Sequence, residues 1–148
     1  MTLAEQLAWH TREGDLYESL EGNRLRCYAC GHCCPIPSGF AGVCKVRFNR
    51  GGKLLVPYGY VNALHCDPIE KKPFFHALPG SRALSFGMLG CDLHCGYCQN
   101  WVTSQTLRDF RSSLDFGEIE PAEIVRLALR QTASSIISTY NEPLITSE

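Results

Sequence analysis

The chain has 148 residues, 45% of them hydrophobic, with 14 Lys and Arg against 15 Asp and Glu for a formal net charge of -1. This is enough apolar surface for the core of one ordinary domain, or of a small module plus part of another, and it gives no bulk electrostatic case for nucleic acid or an anionic membrane as partner. No apolar run approaches the roughly 20 residues that a spanning helix needs, and the opening stretch MTLAEQLAWHTREGD has no basic region followed by an apolar one, so no secretory leader is expected.

Thr2 followed by Glu5 predicts a capping box opening a helix through about His10, with Leu3, Leu7 and Ala8 on one face. Extended runs Leu16 to Leu20 and Arg24 to Tyr28, joined at Glu21-Gly22-Asn23, predict a hairpin. A cysteine-rich, turn-forming stretch follows, and then Lys45 to Phe48 and Lys53 to Asn62 flank a turn at Asn49-Arg50-Gly51-Gly52, a second hairpin. Cys66 to Ser81 carries three prolines and no clear period, which predicts an ordered connector.

Beyond it the pattern changes. Ala83 to Leu89 reads as a strand, Pro121 to Gln131 as a helix with Pro121 at its first position and Ile124, Leu127 and Ala128 on one face, and Ser135 to Tyr140 as a buried strand. Strand, long loop, helix and strand make a βαβ unit with parallel strands, whose C-terminal ends share one face. The loop GCDLHCGYCQN leaves the first strand on that face, and Asn141-Glu142-Pro143 leaves the second. The fold expected is therefore α/β, with a hairpin-rich module over residues 1–80 and the start of a parallel βα barrel over 81–148. Full barrels of that kind take about 200 residues or more, so the sequence reads as an N-terminal fragment of one.

The chemistry lies in the cysteines. Nine is an odd number, so a full set of internal disulfides is impossible, and a reducing cytoplasm with thiols acting as ligands fits best. Cys91, Cys95 and Cys98, spaced C-x3-C-x2-C, offer three thiolates to one centre and leave a fourth position open. Three irons of a [4Fe-4S] cluster suit that set, with Gly90 and Gly96 letting the backbone wrap closely. A zinc ion completed by His94 or a distant residue, or unliganded thiols, are the alternatives.

Cys27, Cys30, Cys34 and Cys44, with Cys33 and His32 as further candidates, supply enough donors to close a zinc site or hold an auxiliary iron–sulfur cluster. A small loop-rich module is stabilised by such a staple.

GCDLHCGYCQN resembles the C-x3-C-x-aromatic-C signature of radical S-adenosylmethionine enzymes, with Tyr97 in the aromatic position, and STYNEP resembles the segment after their second barrel strand, with Tyr140-Asn141 in place of a glycine pair. The order CYACGHCC, GVCKVRFNRGGKL, YGYVNALHCDPIEKKPFFHALPGS, GCDLHCGYCQNW and TYNEP is similar to the radical SAM enzymes of the AmmeMemoRadiSam system, relatives of pyruvate formate-lyase-activating enzymes, over nearly the whole chain from Cys27; Gly31 stands where proline is frequent.

The resemblance implies a radical SAM barrel. In it a [4Fe-4S] cluster sits on Cys91, Cys95 and Cys98, and S-adenosylmethionine is seated with the help of Tyr97, Asn141 and Glu142. It also implies reductive cleavage of that cofactor to a 5′-deoxyadenosyl radical for hydrogen abstraction, with glycyl-radical activation among the outcomes, a flavodoxin- or ferredoxin-like electron donor and a substrate that can be a protein. The fragment by itself is expected to be inactive. A zinc-stapled interaction module without radical chemistry is the rival reading.

Three further features carry lesser expectations. Asp67, Glu70, Lys71, Lys72 and His76 read either as a signature beside the barrel entrance or as a charged connector packing its prolines and Phe74 on the sheet. His94 is expected to be exposed, and Asn100 and Trp101 to brace the cysteine loop.

Overall fold

A computed structural model of the chain describes residues 2–148. Thr2 caps helix α1 as expected: its hydroxyl accepts from the Glu5 amide and the Glu5 carboxylate accepts from the Thr2 amide. The helix ends sooner than the pattern suggests, spanning Leu3–Leu7, because the chain turns at Ala8 and Trp9 to start a strand.

Strands β1 (Thr11–Glu13), β2 (Tyr17–Leu20), β3 (Arg24–Cys27), β4 (Pro35–Ile36), β5 (Phe48–Arg50) and β6 (Lys53–Pro57) build two three-stranded antiparallel sheets in the orders β1-β6-β5 and β2-β3-β4. The first hairpin turns at Glu21-Gly22-Asn23, with φ positive at Gly22 and Asn23. The second is tighter than expected. Its turn is the pair Gly51-Gly52 alone, at φ +62° and +91°, so Asn49 and Arg50 belong to β5 and Lys45, at φ +69°, lies in the preceding loop.

The run expected from Lys53 to Asn62 breaks at Tyr58-Gly59, where Gly59 takes φ +73°, into β6 and β7 (Tyr60–Val61). The Cys66–Ser81 connector needs correction too. Its first residues belong to β8 (Ala63–Pro68), an outer strand paired antiparallel with β9 (Arg82–Gly87) along its whole length. β8 is half-buried without a clean alternation, so no period of two marks it in the sequence.

A short helix α2 (Trp101–Gln105) interrupts the long loop after β9, and β10 (Gly117–Glu118) pairs back on β7. Helix α3 (Pro121–Arg130) begins on Pro121, buries Ala128, and carries Glu123 in ion pairs with Arg126 and Arg130. β11 (Ala133–Ser138) then lies parallel to β9, giving the sheet order β11-β9-β8. The βαβ unit thus forms, and the architecture is mixed α/β made mostly of small antiparallel sheets.

Three apolar clusters fasten these sheets together. Leu25, Cys27, Ile36, Leu54 and Val56 join the two N-terminal sheets. Leu3, Leu7 and Tyr60 pack with Met88 and Leu89 at the exit of β9, and Cys44 and Val46 pack with Ile145 in the 3-10 turn beyond β11. Both loops leaving the parallel strands therefore rest on the N-terminal half. Among the described residues no helix is long and apolar enough to cross a membrane.

Candidate functional site

β9 and β11 deliver their loops to the same end of the sheet, as parallel pairing requires. Between the loops lies an open cavity of about 270 Å³ lined by Cys91, Cys95 and Cys98 on one side and Tyr140, Asn141 and Glu142 on the other, with Asn100, Ser104 and Gln105 between them. Cys91 is buried, Cys98 half-buried and Cys95 exposed, and all three thiols are free. The Cys98 sulfur lies 3.5 Å from the Ser104 hydroxyl, and the Gln105 amide holds the loop through the Leu93 carbonyl at 3.0 Å.

Asn141 latches the second loop to the first. Its side-chain amide donates to the Gly90 carbonyl at 3.1 Å, while its own side-chain oxygen is buried without a donor. A buried acceptor at a cavity wall is costly unless a partner meets it. Tyr140 beside it has φ +74°, the left-handed conformation glycine favours, which accommodates the departure from a glycine pair at a strain cost. Gly87 leaves room for the ring: a Cβ there would come within 2.6 Å of it.

The other cysteines gather nearby. Cys27 and Cys44 are buried, Cys30 and Cys34 half-buried and Cys33 exposed. Burial pushes the Cys30 thiol up to about 11, with the neighbouring Asp92 carboxylate and Cys34 adding to the rise. Burial likewise raises Cys44, helped by Cys27. Among the described residues no three Cys, His, Asp or Glu side chains are grouped closely enough to hold one metal ion. A zinc ion needs every sulfur about 2.3 Å from one centre.

The remaining expectations divide. Glu142 borders the cavity beside Asn141, whereas the Tyr97 ring is 89% exposed and outside the lining. His94 is exposed, as expected. The Asn100 carbonyl accepts from the Thr103 and Ser104 amides, which opens helix α2 and does not itself tie the cysteine loop, and Trp101 is largely exposed. Gly90 has φ +87° and the contact its role demands; Gly96 is outside the positive-φ set and has open space around it.

In the connector, Lys71 pairs with Asp67 at 2.9 Å and lowers its pKa, and the Lys72 ammonium stands 5.2 Å from the centre of the Tyr140 ring. The Glu70 carboxylate accepts from the Gly80 amide, closing the connector on itself. His76 is exposed, and Phe74 is half-exposed rather than packed on the sheet.

Two residues that sequence reasoning passed over matter here. Asp92 is buried beside Cys91, and Arg108 donates to the Cys91 carbonyl at 3.1 Å. Neither spacing nor composition marks them; only the position of Asp92 within the cysteine loop could have.

Comparison with known proteins adds one relative. The chain is 42% identical over 135 residues to the uncharacterized protein MJ0808 of Methanocaldococcus jannaschii, covering 90% of this chain and 40% of that protein. It therefore spans well under half the length of this relative. No family model and no solved structure matches it.

Proposed function

We propose that this chain carries the cluster-binding edge of a radical SAM enzyme of the AmmeMemoRadiSam type, related to pyruvate formate-lyase-activating enzymes, within an incomplete parallel βα barrel. The observation that carries the reading is the single cavity bordered by Cys91, Cys95 and Cys98 on one loop and by Asn141 and Glu142 on the other. Three thiolates spaced C-x3-C-x2-C on one loop offer one ligand to each of three irons and leave the fourth iron open. The unpartnered Asn141 oxygen and the Glu142 carboxylate offer acceptors to an amine, as the methionyl end of S-adenosylmethionine would require.

The cluster and S-adenosylmethionine, when bound, supply an electron and a 5′-deoxyadenosyl radical that removes a hydrogen atom from substrate. The protein's part is to hold the three thiolates, orient the amine and limit water at the cavity. Tyr97, exposed on the same loop, is the aromatic residue that the resemblance sets beside the cofactor. For Cys27, Cys30, Cys34 and Cys44 to take a second metal, zinc or an auxiliary cluster, their sulfurs would have to draw closer than they stand. Substrate and electron donor belong to the intact enzyme.

Anaerobic reconstitution with iron and sulfide tests this. A brown protein whose spectrum changes on adding S-adenosylmethionine is expected; a colourless protein holding only zinc would reject the proposal in favour of the zinc-stapled interaction module.

A further inference from the structure

A second cavity, of about 210 Å³, lies between α1, the loop before β5 and the sheet β1-β6-β5, and it shares no lining residue with the one bordered by the cysteines. Ala4 and Ala8, one turn apart, leave it open on the helix side, and Leu7, Phe40, Phe48 and Leu107 make its walls apolar. An apolar cavity of about 150 Å³ takes one benzene ring, and drug-sized ligands need about 300 Å³ or more. This cavity therefore suits a single ring with a short substituent.

Two polar side chains of the lining are left without partners. Lys45, exposed and at φ +69°, is the one charged residue among those lining the cavity, and among the described residues its ammonium pairs with no carboxylate. Tyr60 is 2% exposed and its hydroxyl has no hydrogen-bond partner; the Leu89 amide comes near without reaching bonding geometry. The Thr11 hydroxyl, by contrast, already donates to the Ala8 carbonyl at 3.1 Å. A buried hydroxyl left unpaired is costly, and a polar atom of a ligand relieves that cost.

We propose that this cavity binds a small aromatic carboxylic acid with an oxygen at the end remote from its carboxylate. Lys45 pairs with the carboxylate at the exposed mouth, Tyr60 bonds the remote oxygen in the buried part, and Leu7, Phe40 and Leu107 hold the ring. Charge selects the acid: no Asp or Glu lines the cavity, so an amine would meet only the repulsion of Lys45. The proposal is independent of any metal or radical chemistry at the cysteines.

The test titrates the full chain, without iron, with 4-hydroxybenzoate and 3-(4-hydroxyphenyl)propionate. Each acid is compared with its counterpart lacking the ring hydroxyl and with its neutral amide, by calorimetry and amide chemical shifts. At least one acid should bind at a single site and move the amides of residues 4–11, 39–48 and 57–60. It should bind roughly fivefold tighter than the counterpart without the hydroxyl and about threefold tighter than the amide. Tyr60→Phe should erase the first preference alone and Lys45→Gln the second alone. The thermal midpoint of Tyr60→Phe should match or exceed that of the parent chain, since the variant loses only an unpaired hydroxyl. No saturable binding of either acid up to about 10 mM would overturn the proposal. So would shifts outside those segments, preferences that are missing or that survive the substitutions, or a clearly lower midpoint in Tyr60→Phe, which would show that the hydroxyl already has a partner.

Discussion

The side-chain amide of Asn141 donates to the carbonyl of Gly90, joining the loop after β11 to the residue that precedes Cys91. One short side chain thereby sets the distance between the two walls of the cavity and leaves its own oxygen facing no donor. In the reconstituted protein Asn141→Ala should weaken S-adenosylmethionine binding by roughly tenfold, the equivalent of about 1.4 kcal/mol, read by titrating the cluster absorbance. Unchanged affinity would remove Asn141 from the cofactor site.

Cys95 is the exposed member of its trio and bears little of the packing. Cys95→Ala should therefore abolish iron uptake at the cavity while any metal of the N-terminal set stays, as measured by iron, sulfide and zinc content. Loss of both metals together would mean a single shared site.

Arg47 is 2% exposed and donates to the Ile145 carbonyl at 2.9 Å and to the Glu148 carboxylate. Arg47→Met keeps the bulk and strands both acceptors, so unfolding stability should fall by about 3–5 kcal/mol, measured by urea denaturation. A loss below about 1 kcal/mol would show that water reaches the pair freely.

Glu148 gives that region a pH dependence. Burial favours its neutral form, but the amides of Asp15 and Leu16 and the Arg47 guanidinium outweigh burial and hold its pKa below the usual carboxylate value. A lowered folded-state pKa contributes stability that is present above the unfolded value of about 4.3 and is lost as pH falls through the lower folded one. Urea midpoints should drop below about pH 4.5 in the parent chain and drop less steeply in Glu148→Gln. Parallel curves for the two proteins would rule out this source.

Gly90 and Gly96 flank the same trio but answer to different constraints. Gly90→Ala meets both a left-handed φ and the Cys44 carbonyl, and should cost about 2–4 kcal/mol, whereas Gly96→Ala has open space and should cost less than about 1 kcal/mol. Thermal midpoints of the two variants provide the comparison, and equal losses would contradict it.

Much of this was legible in the sequence because its signals are local. The capping box of Thr2 and Glu5, the presence of a second hairpin though not its two-residue turn, the start of α3 at Pro121 and the parallel pairing of β9 with β11 follow from short-range chemistry and from the connection rules. The thiol spacing at Cys91, Cys95 and Cys98, and its position on the same sheet end as Asn141 and Glu142, were likewise available before any coordinates. By itself the sequence determined which residues could meet at the C-terminal ends of the parallel strands.

Only the tertiary structure decided what stands behind them. β8 is a strand because β9 offers it a hydrogen-bonding edge, and no period in its own residues announces that. Asp92 faces Cys30 and His32, Arg108 bridges Val43 and Cys91, and Ile145 packs on Cys44 across separations that no local pattern records. Such contacts depend on how separate sheets dock, and docking is fixed by the fit of surfaces drawn from all along the chain.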